Sequence, residues 1–266
     1  MTIVMGVLNV TPDSFSDGGR HDDAEAAIAH GRLLASQGAG IVDVGGESTR
    51  PGAARVPEAE EMARVIPVVA ALAAHGITCS VDTMRASVAR VAVAAGARIV
   101  NDVSGGLADP GMLGAVADLG VDYVAMHWRG HSEVMQQHTD YTDVVTDVFA
   151  ELAARRDAAL AAGITAERII LDPGIGFAKT SEQNWQLLRG LDTFQAMGHR
   201  LLIGVSRKRF LGELLGDTPA ADRDAATAAV TTWCAIHGIW AVRTHEVTAQ
   251  RDAARVGQRL GNRAAG

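Results

Sequence analysis

Short apolar runs rich in Val and Ile recur along the chain, at residues 3–10, 40–46, 77–83, 99–104, 122–128, 168–174, 200–206 and 239–246. Runs this short and this continuously apolar fit parallel strands buried on both faces. Between them the apolar positions change to helical spacing. Ala24, Ala27, Ile28, Gly31, Leu34 and Ala35 recur at i, i+3, i+4 and i+7. Met62, Val65, Ile66, Val69, Leu72 and Ala73 do the same, as do Val88, Val91, Ala92 and Ala95. Asp109-Pro110 reads as an N-cap followed by a first-turn proline, and Thr180 with Gln183 as a capping box. Gly38, Gly76, Gly96, Gly163 and Gly198 punctuate the predicted helix ends.

Eight strand–helix units in 266 residues average about 33 residues each, the size of a βαβ step. The pattern predicts an α/β fold, a (β/α)8 TIM barrel forming a single domain over residues 1–266. A doubly wound open sheet is the rival, but no G-x-G-x-x-G opens a helix. The segments without clear periodicity are 11–23, 45–57 and 129–141, after the first, second and fifth strands. In a barrel these are loops at the C-terminal end, where active sites sit.

Polar residues on the apolar strands cluster at their C-terminal ends: Asn9, Asp43, Glu47, Asp82, Asn101, Asp102, His127, Asp172, Ser206, Arg243 and His245. Parity puts Arg243 and His245 on one face and separates Asn101 from Asp102. One strand-end aspartate is usually a helix cap, and one histidine usually a structural residue. Nearly every strand ending in a polar group is different: a ligand is what satisfies such a set.

Charge narrows the field. With 24 Lys+Arg against 31 Asp+Glu, the net charge is −7, which argues against the broad basic face of a nucleic-acid binder. Cys79 and Cys234 stand 155 residues apart without C-x-x-C spacing, so neither a disulfide framework nor a cysteine zinc site is expected. No apolar run approaches a membrane span, and a soluble, cytoplasmic protein is expected. Within the loops, residues 9–19 join a strand-end amide, a proline turn and a Gly-Gly pair, like a mobile lid. Residues 45–52 set glycines beside Arg50, a candidate anion cradle. Ser206-Arg207-Lys208-Arg209 places three cations at a strand-to-helix junction, a second candidate anion site. Asp82, Asn101, Asp172 and Lys208 suit a flat heterocycle, and Asn9, Arg50, Arg243 and His245 a phosphate-like group. No serine-triad spacing appears, and His127 and His245 are too few for a metal hydrolase. The residues alone describe a barrel enzyme binding a polar heterocycle and an anion.

The run Met5-Gly6-Val7-Leu8-Asn9-Val10-Thr11-Pro12-Asp13-Ser14-Phe15-Ser16-Asp17-Gly18-Gly19 resembles the N-terminal signature of the dihydropteroate synthase family. Asp43-Val44-Gly45-Gly46-Glu47-Ser48-Thr49-Arg50-Pro51-Gly52 resembles its second signature. Val81-Asp82-Thr83, Asn101 to Gly106, Asp172 to Phe177, Ser206-Arg207-Lys208 and Arg243-Thr244-His245 continue the likeness in order, across residues 5 to 245.

The resemblance implies a folate-pathway transferase. It would condense 6-hydroxymethyl-7,8-dihydropterin diphosphate with para-aminobenzoate, releasing diphosphate and forming 7,8-dihydropteroate. It implies pterin binding by Asp82, Asn101, Met126, Asp172, Phe177 and Lys208. Diphosphate would lie against Asn9, Arg243 and His245, with Mg²⁺ bridging to Asn9. Phe15, Thr49, Arg50, Pro51 and Arg209 would wall the aminobenzoate pocket, where sulfonamides compete. Asp17, Asp172 and Lys208 would act in catalysis. Diphosphate departs, and the aniline nitrogen then attacks a pterin methylene cation, so no protein nucleophile is needed. A homodimer through the late helices is also implied. Two positions depart from the family pattern: Glu246 stands where aspartate is usual, with its side chain expected to point away from His245, and Arg209 stands where serine is common. The rival readings are a methyltetrahydrofolate-type methyltransferase, which would share the barrel and pterin pocket, and a catalytically inactive paralogue.

Overall fold

In the computed structural model, which describes residues 1–11, 20–48, 55–131 and 137–261, the eight apolar runs form eight parallel strands. They are β1 (Ile3–Asn9), β2 (Ile41–Gly45), β3 (Cys79–Asp82), β4 (Ile99–Asp102), β5 (Asp122–Met126), β6 (Ile169–Asp172), β7 (Arg200–Ile203) and β8 (Ala241–Thr244). Neighbours pair in sequence order and β8 returns to β1, which closes the barrel. The helices are α1 (Arg20–Gln37), α2 (Glu58–Ala74), α3 (Ala86–Ala94), α4 (Met112–Leu119) and α5 (Val144–Ala161). After them come α6 (Ser181–Arg189), α7 (Leu191–Gln195), α8 (Arg209–Leu214), α9 (Asp224–Ile236) and α10 (Thr248–Gly261).

The strands read as continuous apolar runs because both faces are covered. Outward residues such as Val44, Val81, Val100, Tyr123, Leu171 and Val242 pack against the helices in the large core. Inward residues Met5, Ile41, Ile99, Val124, Ile170 and Leu202 form a second apolar layer inside the barrel. Full burial of such side chains contributes roughly 1.5–3 kcal/mol each, so this layer is a solid floor beneath whatever lies above it.

The boundaries show where local signals gave way. Every strand ends before the apolar run does, because the next residues turn outward into loops. The run at 168–174, for example, stops at Asp172, since Gly174 takes φ 68°. Residues 20–23, read as loop, already belong to α1. Thr180 and Gln183 do form the capping box of α6. Asp109-Pro110 does not start α4, which begins at Met112 after Gly111. The Asp109 carboxylate instead accepts from Gly111 N (2.8 Å) and from Ala86 N at the start of α3 (2.8 Å). It thus caps the neighbouring helix. Cys79 and Cys234 are buried and free. No helix among the described residues is long and apolar enough to cross a membrane.

Candidate active site

Two residues beyond the apolar floor, the inward positions turn polar. Ile41 is followed inward by Asp43, Ile99 by Asn101, Ile170 by Asp172 and Ala241 by Arg243. Parallel register sets the groups beside one another. Asp82 pairs with Asn101 across β3 and β4, and Met126 with Asp172 across β5 and β6.

Asp43 organises the floor. Its Oδ2 accepts from Arg243 Nε at 2.6 Å and from Asn101 Nδ2 at 3.0 Å. Arg243 Nη2 also donates to Asp82 Oδ2 at 2.7 Å. Asp43 has no solvent exposure, and its Oδ1 has no hydrogen-bond partner. Burial alone would weaken the Arg243 proton affinity, but the charges of Asp43 and Asp82 outweigh it and raise its pKa. Burial raises the pKa of Asp82, against the lowering charge of Arg243.

The opposite wall is built from β6 and the loops after β6 and β7. Asp172 Oδ1 accepts from Gly174 N at 2.8 Å. Burial raises the Asp172 pKa, while the Lys208 charge lowers it. Lys208 donates to Ile175 O and lies 4.5 Å from the Phe177 ring centre. Burial lowers the Lys208 pKa to about 8, against the raising charge of Asp172. Met126 is buried with Met84 and Val103, with Phe177 packed against them. Above the floor opens a cavity of about 560 Å³ lined by Asn9, Ser48, Phe177, Lys208, Arg243 and His245. His245 Nδ1 lies 3.0 Å from Ser206 Oγ. A larger cavity, about 720 Å³, lies at the other end of the barrel around Met1, Arg200 and Trp240. It is remote from the C-terminal strand ends, where a (β/α)8 barrel builds its chemistry.

The structure thus brings Asn9, Asp82, Asn101, Met126, Asp172, Phe177, Lys208, Arg243 and His245 to one end of the barrel. Phe15, Asp17, Thr49, Arg50 and Pro51 lie outside the described residues. Parity sorts the rest. Asp102 faces outward and accepts from Ser104 N (2.8 Å), Ser104 Oγ (2.6 Å), Gly106 N (2.7 Å) and Tyr123 OH (2.9 Å). His127 also faces outward, with Nε2 2.9 Å from Glu151 Oε2. Burial and the Lys179 charge push its pKa down to about 4. The three cations at 207–209 do not form one anion site. Arg207 makes a two-bond pair with Asp224, at 2.8 and 2.7 Å. Arg209 stands at the cavity mouth with its side chain 74% exposed, 3.0 Å from Glu213. Only Lys208 turns inward. Glu47, in the proposed anion cradle, pairs with Arg55 and Arg85, each at 3.0 Å. Glu246 points away from His245, as expected, and accepts from Thr248 N and Ala249 N at the start of α10.

Two residues have no role assigned in the reading of the sequence: Asp43 stands there only among the strand-end polar groups, and Lys179 not at all. Asp43 had a usable signal, since it shares parity with Ile41 inside a strand. Lys179 had another: Lys179 and Lys208 are the only lysines among the 24 basic residues. Lys179 is 2% exposed.

Paired carboxylates and an amide over an apolar floor, with cations toward the mouth, suit a flat ring carrying several donors and acceptors and an anionic tail. That is the site of a pterin-binding barrel enzyme. The chain belongs to the pterin-binding enzyme family, whose pattern matches residues 5–245. Within that family it is similar to dihydropteroate synthases. The enzyme of that name from Mycobacterium leprae is 52% identical over 259 residues, covering 95% of this chain and 91% of that one. The Xanthomonas albilineans dihydropteroate synthase solved with 4-aminobenzoic acid superposes with a TM-score of 0.92 at 47% identity, covering 98% and 93% of the two chains. A structure of the latter enzyme with 7,8-dihydropteroate gives 0.88 at 44% identity, covering 98% and 94%.

Proposed function

We propose that this chain joins 6-hydroxymethyl-7,8-dihydropterin diphosphate to para-aminobenzoate, forming 7,8-dihydropteroate and diphosphate. The observation that carries this reading is the split site: Asp82, Asn101, Asp172 and Lys208 for the pterin ring, with Asn9, Arg243 and His245 at the same end of the barrel for the anion. The floor groups bind the pterin ring, and Met126 and Phe177 line its sides. Each hydrogen bond to a charged partner contributes roughly 1.5–3 kcal/mol. Pterin binding gives Asp82 new donors, which leaves Arg243 to Asp43 and to the diphosphate. Asn9 and His245 complete the diphosphate site. The C–O bond to diphosphate breaks with its electron pair on the leaving oxygen. The aniline nitrogen then forms the new C–N bond and loses a proton. Lys208 and His245 favour the charge that develops on the leaving group, while Asp172 and Asp17 favour the cation. Phe15, Thr49, Arg50, Pro51 and Arg209 wall the aminobenzoate side.

Among the described residues no group of three or more His, Cys, Asp or Glu side chains is placed to hold a metal ion. That fits Mg²⁺ arriving on the substrate, since Mg²⁺ keeps several waters and takes few protein ligands beside phosphate oxygens. Asn9 is the one protein oxygen assigned to it. Bound Mg²⁺ supplies neutralisation of the departing diphosphate.

Trp233 and Ile236 on α9, with Val256 and Leu260 on α10, are exposed apolar side chains. They support a homodimer through these helices, which sedimentation velocity tests. The protein works in the cytoplasm, where both substrates are small solutes. The deciding experiment mixes both substrates with Mg²⁺ and follows diphosphate. Release that needs aminobenzoate and Mg²⁺ is expected; none sinks the reading.

A further inference from the structure

The connection from β6 to α6 holds one residue, Ala178, in a conformation it does not favour. Within Asp172-Pro173-Gly174-Ile175-Gly176-Phe177-Ala178-Lys179, positive φ occurs at Gly174 (68°), Gly176 (84°) and Ala178 (51°). Glycine accepts this region freely. Alanine does not, because its Cβ crowds the carbonyl, a penalty of roughly tenfold in population. Strain of this kind persists only where surrounding contacts impose it, and it concentrates at functional sites.

The contacts converge on Lys179. Its Nζ donates to Gly174 O at 3.0 Å and to Phe177 O at 2.9 Å, so one nitrogen ties the two ends of the turn together. The third neighbour is His127 Nδ1 at 3.1 Å. Because the Glu151 carboxylate accepts from His127 Nε2, Nδ1 keeps its lone pair for Lys179. Three acceptors around one nitrogen match the three protons of an ammonium, against burial, which lowers its pKa to about 7. Arginine's planar fork does not reproduce that arrangement. Across the chain, Tyr141 OH donates to Ala178 O at 3.0 Å. The strained backbone is therefore gripped on either side of Ala178. It carries Asp172, fixed through Gly174 N, and Ile175 O, the acceptor of Lys208. It also carries the Phe177 ring beside Lys208.

We infer that Lys179 and Tyr141 are positioning residues for the pterin pocket: they hold the 172–179 backbone in the strained form that presents Asp172, Phe177 and Lys208. The inference rests on the pterin reading above and adds to it a specific division of labour. The residues given to the aminobenzoate side, Phe15, Thr49, Arg50, Pro51 and Arg209, belong to other segments of the chain, so the two substrates separate its effect from a general loss of structure.

The test uses the full-length protein and its Lys179→Met, Lys179→Met/Ala178→Gly and Tyr141→Phe variants. Binding of 6-hydroxymethylpterin is read by titration calorimetry, and KM for aminobenzoate is read at saturating pterin diphosphate. Lys179→Met is expected to weaken pterin binding by tenfold or more, with aminobenzoate KM within about twofold of wild type. Adding Ala178→Gly should recover several-fold, because glycine needs no grip to stay left-handed. Tyr141→Phe, a milder change, should weaken pterin binding a few-fold and carries the test if Lys179→Met does not fold. The wild type is the reference that separates this inference from the reading beneath it. Pterin bound by the wild type and equally well by Lys179→Met and Tyr141→Phe overturns the inference alone. Equal losses for both substrates, or no recovery with glycine, also overturn it.

Discussion

Asp43→Asn tests how the floor of the site is held. The change preserves shape. An asparagine carbonyl in the place of Oδ2 still accepts from Arg243 Nε and Asn101 Nδ2, now 2.6 and 3.0 Å from the carboxylate oxygen. What disappears is a buried negative charge. At an effective dielectric near 20, unit charges 4 Å apart attract by about 4 kcal/mol. Part of that is returned, because Asp43 repels Asp82, raising its pKa, and because a buried carboxylate costs desolvation. The net loss comes to about 2 kcal/mol. For a chain of this size that lowers Tm by about 4 °C. Arg243→Met should cost more, about 3–5 kcal/mol, since it strands two buried carboxylates. The double variant should be less damaged than the sum, because Asp43→Asn removes one of the stranded charges. Urea unfolding of the four proteins, followed by tryptophan fluorescence, measures the coupling. A coupling above about 1.5 kcal/mol is expected. Additivity within about 0.5 kcal/mol, the behaviour of independent sites, would refute the claim that Asp43 anchors Arg243.

Three further outcomes follow from named contacts. Lys208 donates as an ammonium, and its pKa lies near 8 through burial, opposed by Asp172 and reinforced by Arg243. kcat/KM for pterin diphosphate should therefore fall as pH rises through about 8, and Lys208→Arg should abolish that limb; a limb that persists assigns it to another group. Asp172→Asn should weaken pterin binding at least tenfold and leave aminobenzoate KM nearly unchanged, and an unaltered pterin Kd contradicts the role given to Asp172. Tyr123→Phe removes one of four donors to the buried, outward-facing Asp102, at a cost of roughly 1.5–3 kcal/mol. Its Tm should drop by roughly 3–6 °C with pterin affinity intact; a drop below about 1 °C would show that Asp102 does not need that hydroxyl.

The eight strand–helix units are legible in the amino-acid order alone, because strands buried on both faces must be apolar at every position and helices between them must repeat every three to four residues. So is the collection of polar side chains at the C-terminal strand ends. Asn101 and Asp102 illustrate how far this reached: parity alone required them to face opposite ways, and they do. Tertiary structure decided which polar groups meet. Arg207, Lys208 and Arg209 are adjacent in the chain and alike in charge, yet they turn to Asp224, to the site and to Glu213. Their partners come from different elements, which no local pattern encodes. Asp43 and Arg243 stand 200 residues apart and touch only because the barrel closes β8 onto β1, beside β2. Lys179 was the least legible of all. Its neighbours Gly174 and Phe177 are close in sequence, but its third partner, His127, comes from just after β5. Whether a lysine is a solvated surface charge or a buried strut depends on what the rest of the chain leaves around it.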